Sequence, residues 1–185
     1  MSEASQINDR ELVLAFKNKA TRNDAFGQIL KTYQKRTYWH IRRIVIDHDD
    51  ADDVVQNTFI KVWENLDQFR GDSQLFTWIF RIATNESLLF LNKKKSGRNI
   101  SLDDVDYDLI DKLQSSSYFN GDKAERKLQT AILQLPEKQR LVFNMKYYQA
   151  LKYEEMEAIL GTSVGALKAS YHHAVKKIED FLNKD

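Results

Sequence analysis

An all-α chain is predicted by three features. Apolar residues recur three or four positions apart almost throughout, as a helix with one buried face requires. No stretch alternates strictly between apolar and polar residues over five or more positions, as a half-buried strand would. Breakers are few: one proline and six glycines in 185 residues.

The elements follow in order. Leu12 and Phe16 open a first stripe, and Phe26, Ile29, Leu30 and Tyr33 lie on a second. Val55, Phe59, Val62 and Leu66 recur at i, i+4, i+7 and i+11, the spacing of a third helix. Ile79, Ile82 and Ala83 begin a fourth that continues to Leu91. From Ser96 to Asp122 the pattern fails. The segment SGRNISLDDVDYDLIDKLQSSSYFNGD is acidic, rich in Ser and Asn and bounded by Gly97 and Gly121. It reads as a flexible acidic linker with at most a short helix around Leu109–Leu113. The expected organisation is two small helical domains, 8–97 and 123–183, joined by a linker over 98–122. A connection of this length in a small protein is functional or disordered.

Beyond the linker, Glu125–Leu135 is amphipathic. Pro136 suits the first turn of the next helix, where its missing N–H would have no partner. Leu141, Val142, Met145 and Tyr148 form the apolar face of that helix. Tyr153–Leu160 is a short third helix, ended by Gly161 in a left-handed position. Ser163 is the expected N-cap of the last helix, Val164–Leu182.

Composition limits the chemistry. There is no cysteine, so disulfides and thiolate metal sites are excluded. The N-terminal MSEASQINDR is polar, unlike a signal peptide, and no window approaches the ~20 apolar residues of a membrane span. A cytoplasmic location is expected. The net charge is +1, but it is distributed in blocks. Lys31–Ile46 holds five Lys or Arg and no acid; Asp47–Asp67 holds seven acids and one Lys. Arg81–Arg98 is again basic, Ser101–Glu125 acidic, and Ala166–Lys177 holds three Lys, two His and no acid. Such blocks suit a molecule that touches nucleic acid with some surfaces and protein with others. Solvated helices also carry uneven charge.

A short helix, a turn with glycine and a longer basic helix make a helix-turn-helix pattern. On that reading Ser163, Gly165, Lys168, Ala169, His172, His173 and Lys176 face a DNA groove, and the small residues permit close approach. The same pattern describes a helical hairpin with no DNA. Adjacent residues on a helix point about 100° apart, so His172 and His173 do not share a metal ion. The acids around Asp47–Asp53 do not make a calcium loop either: no Gly and no closing Glu stand where that loop needs them. No cofactor or metal is expected. In residues 69–85, FRGDSQLFTWIFRIATN, four aromatics crowd a polar turn. Such crowding serves either a core or a platform for unstacked bases.

These segments together resemble the extracytoplasmic-function (ECF, group IV) class of bacterial RNA polymerase sigma factors, in the sigma-70 family. The resemblance spans about Ala25–Gly97 and Glu125–Leu182. DDVVQNTFIKVW is similar to region 2.2, FRGDSQLFTWIFRIATN to region 2.3 and the start of region 2.4, and the stretch from Leu135 to Leu182 to region 4. The resemblance implies a non-enzymatic promoter-specificity subunit. Its partners would be core RNA polymerase (β′ coiled coil and β flap), promoter DNA and an anti-sigma factor, with no membrane insertion. Asp53, Gln56 and Asn57 would meet the polymerase; the family usually has Glu where Asn57 stands. Ser73, Gln74, Phe76 and Asn85 would hold a flipped base of the minus-ten element, with Lys93, Lys94, Lys95 and Arg98 on nearby phosphates. The last helix would read the minus-35 element. Lys168 matches the family there, whereas Ser170 and His173 stand where Arg is frequent. Asp103, Asp104, Asp106 and Asp108 would present charge along the path of a nucleic-acid strand. The alternative is a stand-alone helix-turn-helix transcriptional regulator; a metal-dependent helical hydrolase and a docking module for another complex are more distant.

Overall fold

The structure is a computed structural model that describes residues 8–98 and 123–183. The expected linker beyond Arg98, with its short helix and its aspartates, lies outside the described residues. Among the described residues there are eight α-helices, one 3-10 turn and no strand. They are α1 (Asp9–Lys17), α2 (Arg22–Val45), α3 (His48–Asn65), the turn Leu66–Gln68, α4 (Leu75–Arg98), α5 (Lys123–Leu133), α6 (Glu137–Tyr147), α7 (Tyr153–Leu160) and α8 (Val164–Leu182).

Local cues set most boundaries. Asn8 caps α1 by accepting from Arg10 N, and Asp47 caps α3 by accepting from Asp50 N. Between α2 and α3, Ile46 has φ 69° and ψ −42°, a rare and strained γ-turn for a β-branched residue. The Asp47 N–H reaches Val45 O at 2.8 Å across it, and the Ile46 side chain is buried. Tertiary burial therefore holds the backbone where propensity would not. Gly161 has φ 64°, the left-handed end expected for α7. Ser163 accepts from Ala166 N to start α8. Pro136 lies one step outside the expected place. It is the N-cap of α6, extended at ψ 142°, and the helix begins at Glu137. The preceding helix correspondingly ends at Leu133, not Leu135.

Helices α1–α4 pack around a core that includes Phe16, Ile29, Ile41, Val62, Leu75, Ile79 and Phe80. Trp63 meets Phe16 and Phe26 edge-on at 5.0 and 4.9 Å between ring centroids, so α1 and α2 are closed against α3 by three aromatics. Helices α5, α6 and α8 enclose a smaller core of Ala131, Ile132, Leu135, Phe143, Ala174 and Ile178. The larger core does not stop at the end of α4. Leu141, Val142, Met145, Leu151, Met156, Ile159 and Leu167 continue it. The C-terminal helices are thus docked on α2 and α4.

Candidate functional site

Three surfaces carry the residues singled out by sequence. The first is a groove of about 540 Å³ between α2 and α3. Its floor is apolar: Phe26, Leu30, Val55, Phe59, Ile60 and Trp63. Its edge is polar: Gln34, Asp52, Gln56 and Glu64. Ile60 is 48% exposed and carries the apolar floor of the groove out to solvent. Asp53, Gln56 and Asn57 are all exposed. Gln56 lines the groove, and Asp53 and Asn57 stand beside it on α3. Val55, Phe59 and Val62 follow the α3 stripe inward, which leaves the intervening polar positions outward. Sequence periodicity marked the polar residues but not the groove, because the groove needs a second helix to form its other wall.

The second surface is the turn before α4 and the outer side of that helix. Gly71 has φ 81°, so the turn needs a residue without Cβ strain there. Ser73 is half-buried, and its hydroxyl lies 3.3 Å from Gln74 O; Gln74 is exposed. Phe76 does not share this surface. It is only 6% exposed, with the Arg36 guanidinium 3.9 Å from one side of its ring and Phe80 4.1 Å away. Its faces are occupied, so the place of Phe76 is the core. The accessible aromatic pair is Phe69 with Trp78, both half-buried, their ring centroids 5.3 Å apart. Asn85 is exposed, and Arg81, Leu89 and Lys93, also exposed, follow at four-residue steps on the same side of α4. Arg81 and Leu89 were not singled out by sequence, although a four-residue count from Asn85 reaches both; Phe69 and Trp78 were among the four aromatics noted around the turn, but only Phe76 of those was named as a base contact. Lys94 is tied to Asp50 of α3 and is only partly exposed. Lys95 and Arg98 lie on the last turns of α4.

The third surface is the open side of α8. Ser163, Gly165, Lys168, Ala169, His172, His173 and Lys176 are all exposed, while Leu167, Ala174 and Ile178 face the cores. The Lys168 ammonium sits 5.7 Å from the Tyr153 ring centroid at the start of α7. The His172 and His173 rings are 6.0 Å apart and splayed. Among the described residues no group of His, Asp or Glu is placed to hold a metal ion. No described helix is long and apolar enough to cross a membrane.

The buried polar centre lies behind α4. His40 of α2 is fully buried and stacks on Phe80 at 4.6 Å. Burial, with Arg43 and Arg36 adding repulsion, holds its pKa down at about 3, so the ring is neutral. Its Nε2 lies 2.8 Å from Thr84 Oγ1, and the Thr84 hydroxyl donates to Phe80 O at 2.8 Å. The hydroxyl proton is therefore committed, Thr84 accepts from His40 Nε2–H, and Nδ1 is left as an acceptor.

Two family models match the chain: Sigma-70 region 2 over residues 29–97 and Sigma-70, region 4 over residues 125–178. The RNA polymerase sigma-H factor of Pseudomonas aeruginosa is 29% identical over 96% of this chain and 95% of its own. The ECF RNA polymerase sigma-E factor of Escherichia coli is 30% identical over 97% and 96%. In fold, the chain is similar to CnrH in its complex with the cytosolic domain of CnrY, with a TM-score of 0.70 and 24% identity over 96% and 98% of the two chains. It is also similar to the sigma factor RpoE in its complex with the anti-sigma factor NepR from Bartonella quintana, with a TM-score of 0.66, 22% identity and 86% and 98% coverage. With both region models in order and relatives of this identity along its whole length, the chain belongs to the sigma-70 family of RNA polymerase sigma factors, in the ECF class.

Proposed function

We propose that this sigma factor docks core polymerase through the α2–α3 groove and meets promoter DNA through the outer side of α4 and the open side of α8. The observation that carries the reading is the groove: an apolar floor with an exposed Ile60, beside a rim of Asp52, Asp53, Gln56, Asn57 and Glu64. That combination fits a partner helix with apolar and basic residues, the chemistry expected of the β′ coiled coil. The division into domains 8–97 and 123–183 assigns minus-ten recognition to the first and minus-35 recognition to the second, with the β flap as a further polymerase contact.

On the α4 side, Asn85, Gln74 and Ser73 supply hydrogen-bonding groups beside the Phe69–Trp78 pair, on which an extruded base would stack. Stacking is worth about 1–3 kcal/mol per base, enough to offset much of the few kcal/mol of extrusion. Arg81 and Lys93 would steady phosphates of the same strand. On α8, Gly165 and Ala169 leave room for a groove edge while Lys168 and Lys176 reach its phosphates. The chain performs no covalent chemistry in this scheme and works in the cytoplasm. An anti-sigma factor is an expected regulator, as NepR is bound to RpoE in the similar structure.

The test is run-off transcription with purified core polymerase and Ile60→Asp. Ile60 is half exposed, so the variant folds. Its apparent affinity for polymerase should fall at least about 30-fold, the loss typical of an interface anchor. A folded Ile60→Asp chain that transcribes as well as the parent would overturn the docking assignment. Dimers in light scattering, with promoter binding that needs no polymerase, would instead favour a stand-alone regulator.

A further inference from the structure

Two residues on the open side of α8 stand outside the DNA contacts assigned to Lys168 and Lys176: His172 and His173. Both are exposed. His172 is four residues from Lys168 and from Lys176, and His173 is four from Ala169 and from Lys177, so each shares its side of the helix with a lysine. The two rings are 6.0 Å apart with their planes at 57°, so they fan outward instead of stacking on each other. Helix α8 has three lysines and no arginine, so the fixed positive charge on this side is small. From Ala166 to Lys177 it has no acid. The next acids, Glu179 and Asp180, are each seven residues beyond one of the histidines, about 10 Å further along the axis. The elements packed on α8 direct their charges elsewhere. Helices α5, α6 and α7 approach from the side of Leu167, Ala174 and Ile178. Lys127 of α5 donates to Leu182 O at the far end of α8, and Glu157 of α7 accepts from Val164 N–H at the near end. Lys146 of α6 sits 4.8 Å from the Tyr153 ring centroid, and Tyr147 stacks on Phe143, which also stacks on Tyr171. None of these contacts includes His172 or His173.

Histidine ordinarily changes charge between about pH 5 and 8, whereas lysine and arginine stay charged across that range. A phosphate brought close to an imidazole favours the charged ring. DNA lying on this side of α8 therefore draws protons onto the rings it meets. We propose that His172 and His173 are proton-linked DNA contacts: binding of the minus-35 element takes up protons at α8, so affinity for the promoter rises as pH falls from about 8.5 to 6. The inference rests on α8 meeting promoter DNA. The sign follows from linkage. A histidine is neutral with and without DNA well above its titration range and charged with and without DNA well below it. Between those limits the bound state holds more protons, and lowering pH favours it. An arginine would clamp a phosphate or a guanine at any pH; here solution pH sets the charge that the helix offers.

The test uses preformed holoenzyme, so that the chain's two other histidines, the buried His40 and His48 at the start of α3, are common to every sample. Binding to a promoter on which the holoenzyme initiates is measured at fixed salt from pH 8.5 to 6. Three chains are compared: the parent, His172→Gln with His173→Gln, and His172→Lys with His173→Lys. Both positions are exposed, so the variants fold. The parent should match the glutamine chain at pH 8.5 and approach the lysine chain at pH 6. Its affinity relative to the glutamine chain should rise about tenfold over that range, the effect of a one-unit shift in proton affinity. Its salt slope should steepen by up to about 0.9 for each ring that becomes charged, and the rise should vanish on a fragment without the minus-35 element. Persistence of the rise on that fragment overturns the assignment to α8. A parent-to-glutamine ratio that is constant with pH, while Lys168→Ala still weakens binding, overturns the proton linkage and leaves α8 as a DNA contact. If Lys168→Ala, the glutamine chain and the lysine chain all bind as the parent does, α8 does not meet DNA, and both the linkage and the minus-35 assignment fail.

Discussion

Helices α4 and α8 are both candidate DNA readers, yet their surroundings differ sharply. Helix α4 is packed on three sides. Leu75, Phe76, Ile79, Phe80 and Ala83 fill the core, Thr84 and His40 share a buried hydrogen bond, and α7 covers a further face. Among the described residues the open strip runs from Arg81 through Asn85 and Leu89 to Lys93, with Asn92 and Ser96 also exposed near its end. Helix α8 buries Leu167, Ala174 and Ile178 and leaves its basic side to solvent. The difference shows how far residue type can be trusted as a guide to role. On α8 a polar residue is an available one. On α4 the aromatics that suggest base stacking are divided between core and surface, and Phe76 belongs to the core.

The comparison can be broken or sharpened experimentally. The largest effect is expected at Phe76. Phe76→Ala should lower stability by about 3–5 kcal/mol, read as a fall in denaturation midpoint, with DNA binding impaired only through unfolding. Unchanged stability with loss of strand opening would return Phe76 to the DNA surface. Next is pH. His40 is neutral when buried, with its pKa lowered to about 3 against 6.5 in the unfolded chain. Its contribution is complete above about pH 6.5 and is lost progressively as pH falls towards 3. Between pH 7.5 and 5 stability should drop by about 2 kcal/mol, a dependence that His40→Gln flattens. A flat pH profile in the parent would show that the slot is open to water.

Smaller effects separate the exposed strips. Asn85→Ala should leave polymerase affinity and melting temperature unchanged and slow open-complex formation about tenfold, a loss appropriate to one base contact. Equal slowing of polymerase binding would move Asn85 to the other surface. Lys168→Ala should weaken promoter binding modestly and reduce the salt dependence by about one charge. An unaltered salt slope would mean that α8 meets DNA with another side.

Much of the fold was legible because its signals are local. The ends of α7 and α8 follow from Gly161 and Ser163, whose backbone preferences act within a few residues. The stripe Val55, Phe59, Val62 and Leu66 is buried as its spacing predicts. The polar positions of α3 and α8 were legible for the same reason. At the end of FRGDSQLFTWIFRIATN, Arg81 and Asn85 are exposed while Ala83 and Thr84 are not; helical geometry distributes one short run over two faces.

Sequence alone determined the helices and their order, since both rest on periodicity and short-range chemistry; the family came from the resemblance of its motifs and is shown by the matching region models and relatives. Tertiary structure decided which aromatics remain accessible, how α2 and α3 form a groove, and that Gln149 closes on a histidine 109 positions away. Those outcomes depend on which side chain reaches a shared volume first filled by others, and close packing sets that competition across the whole chain.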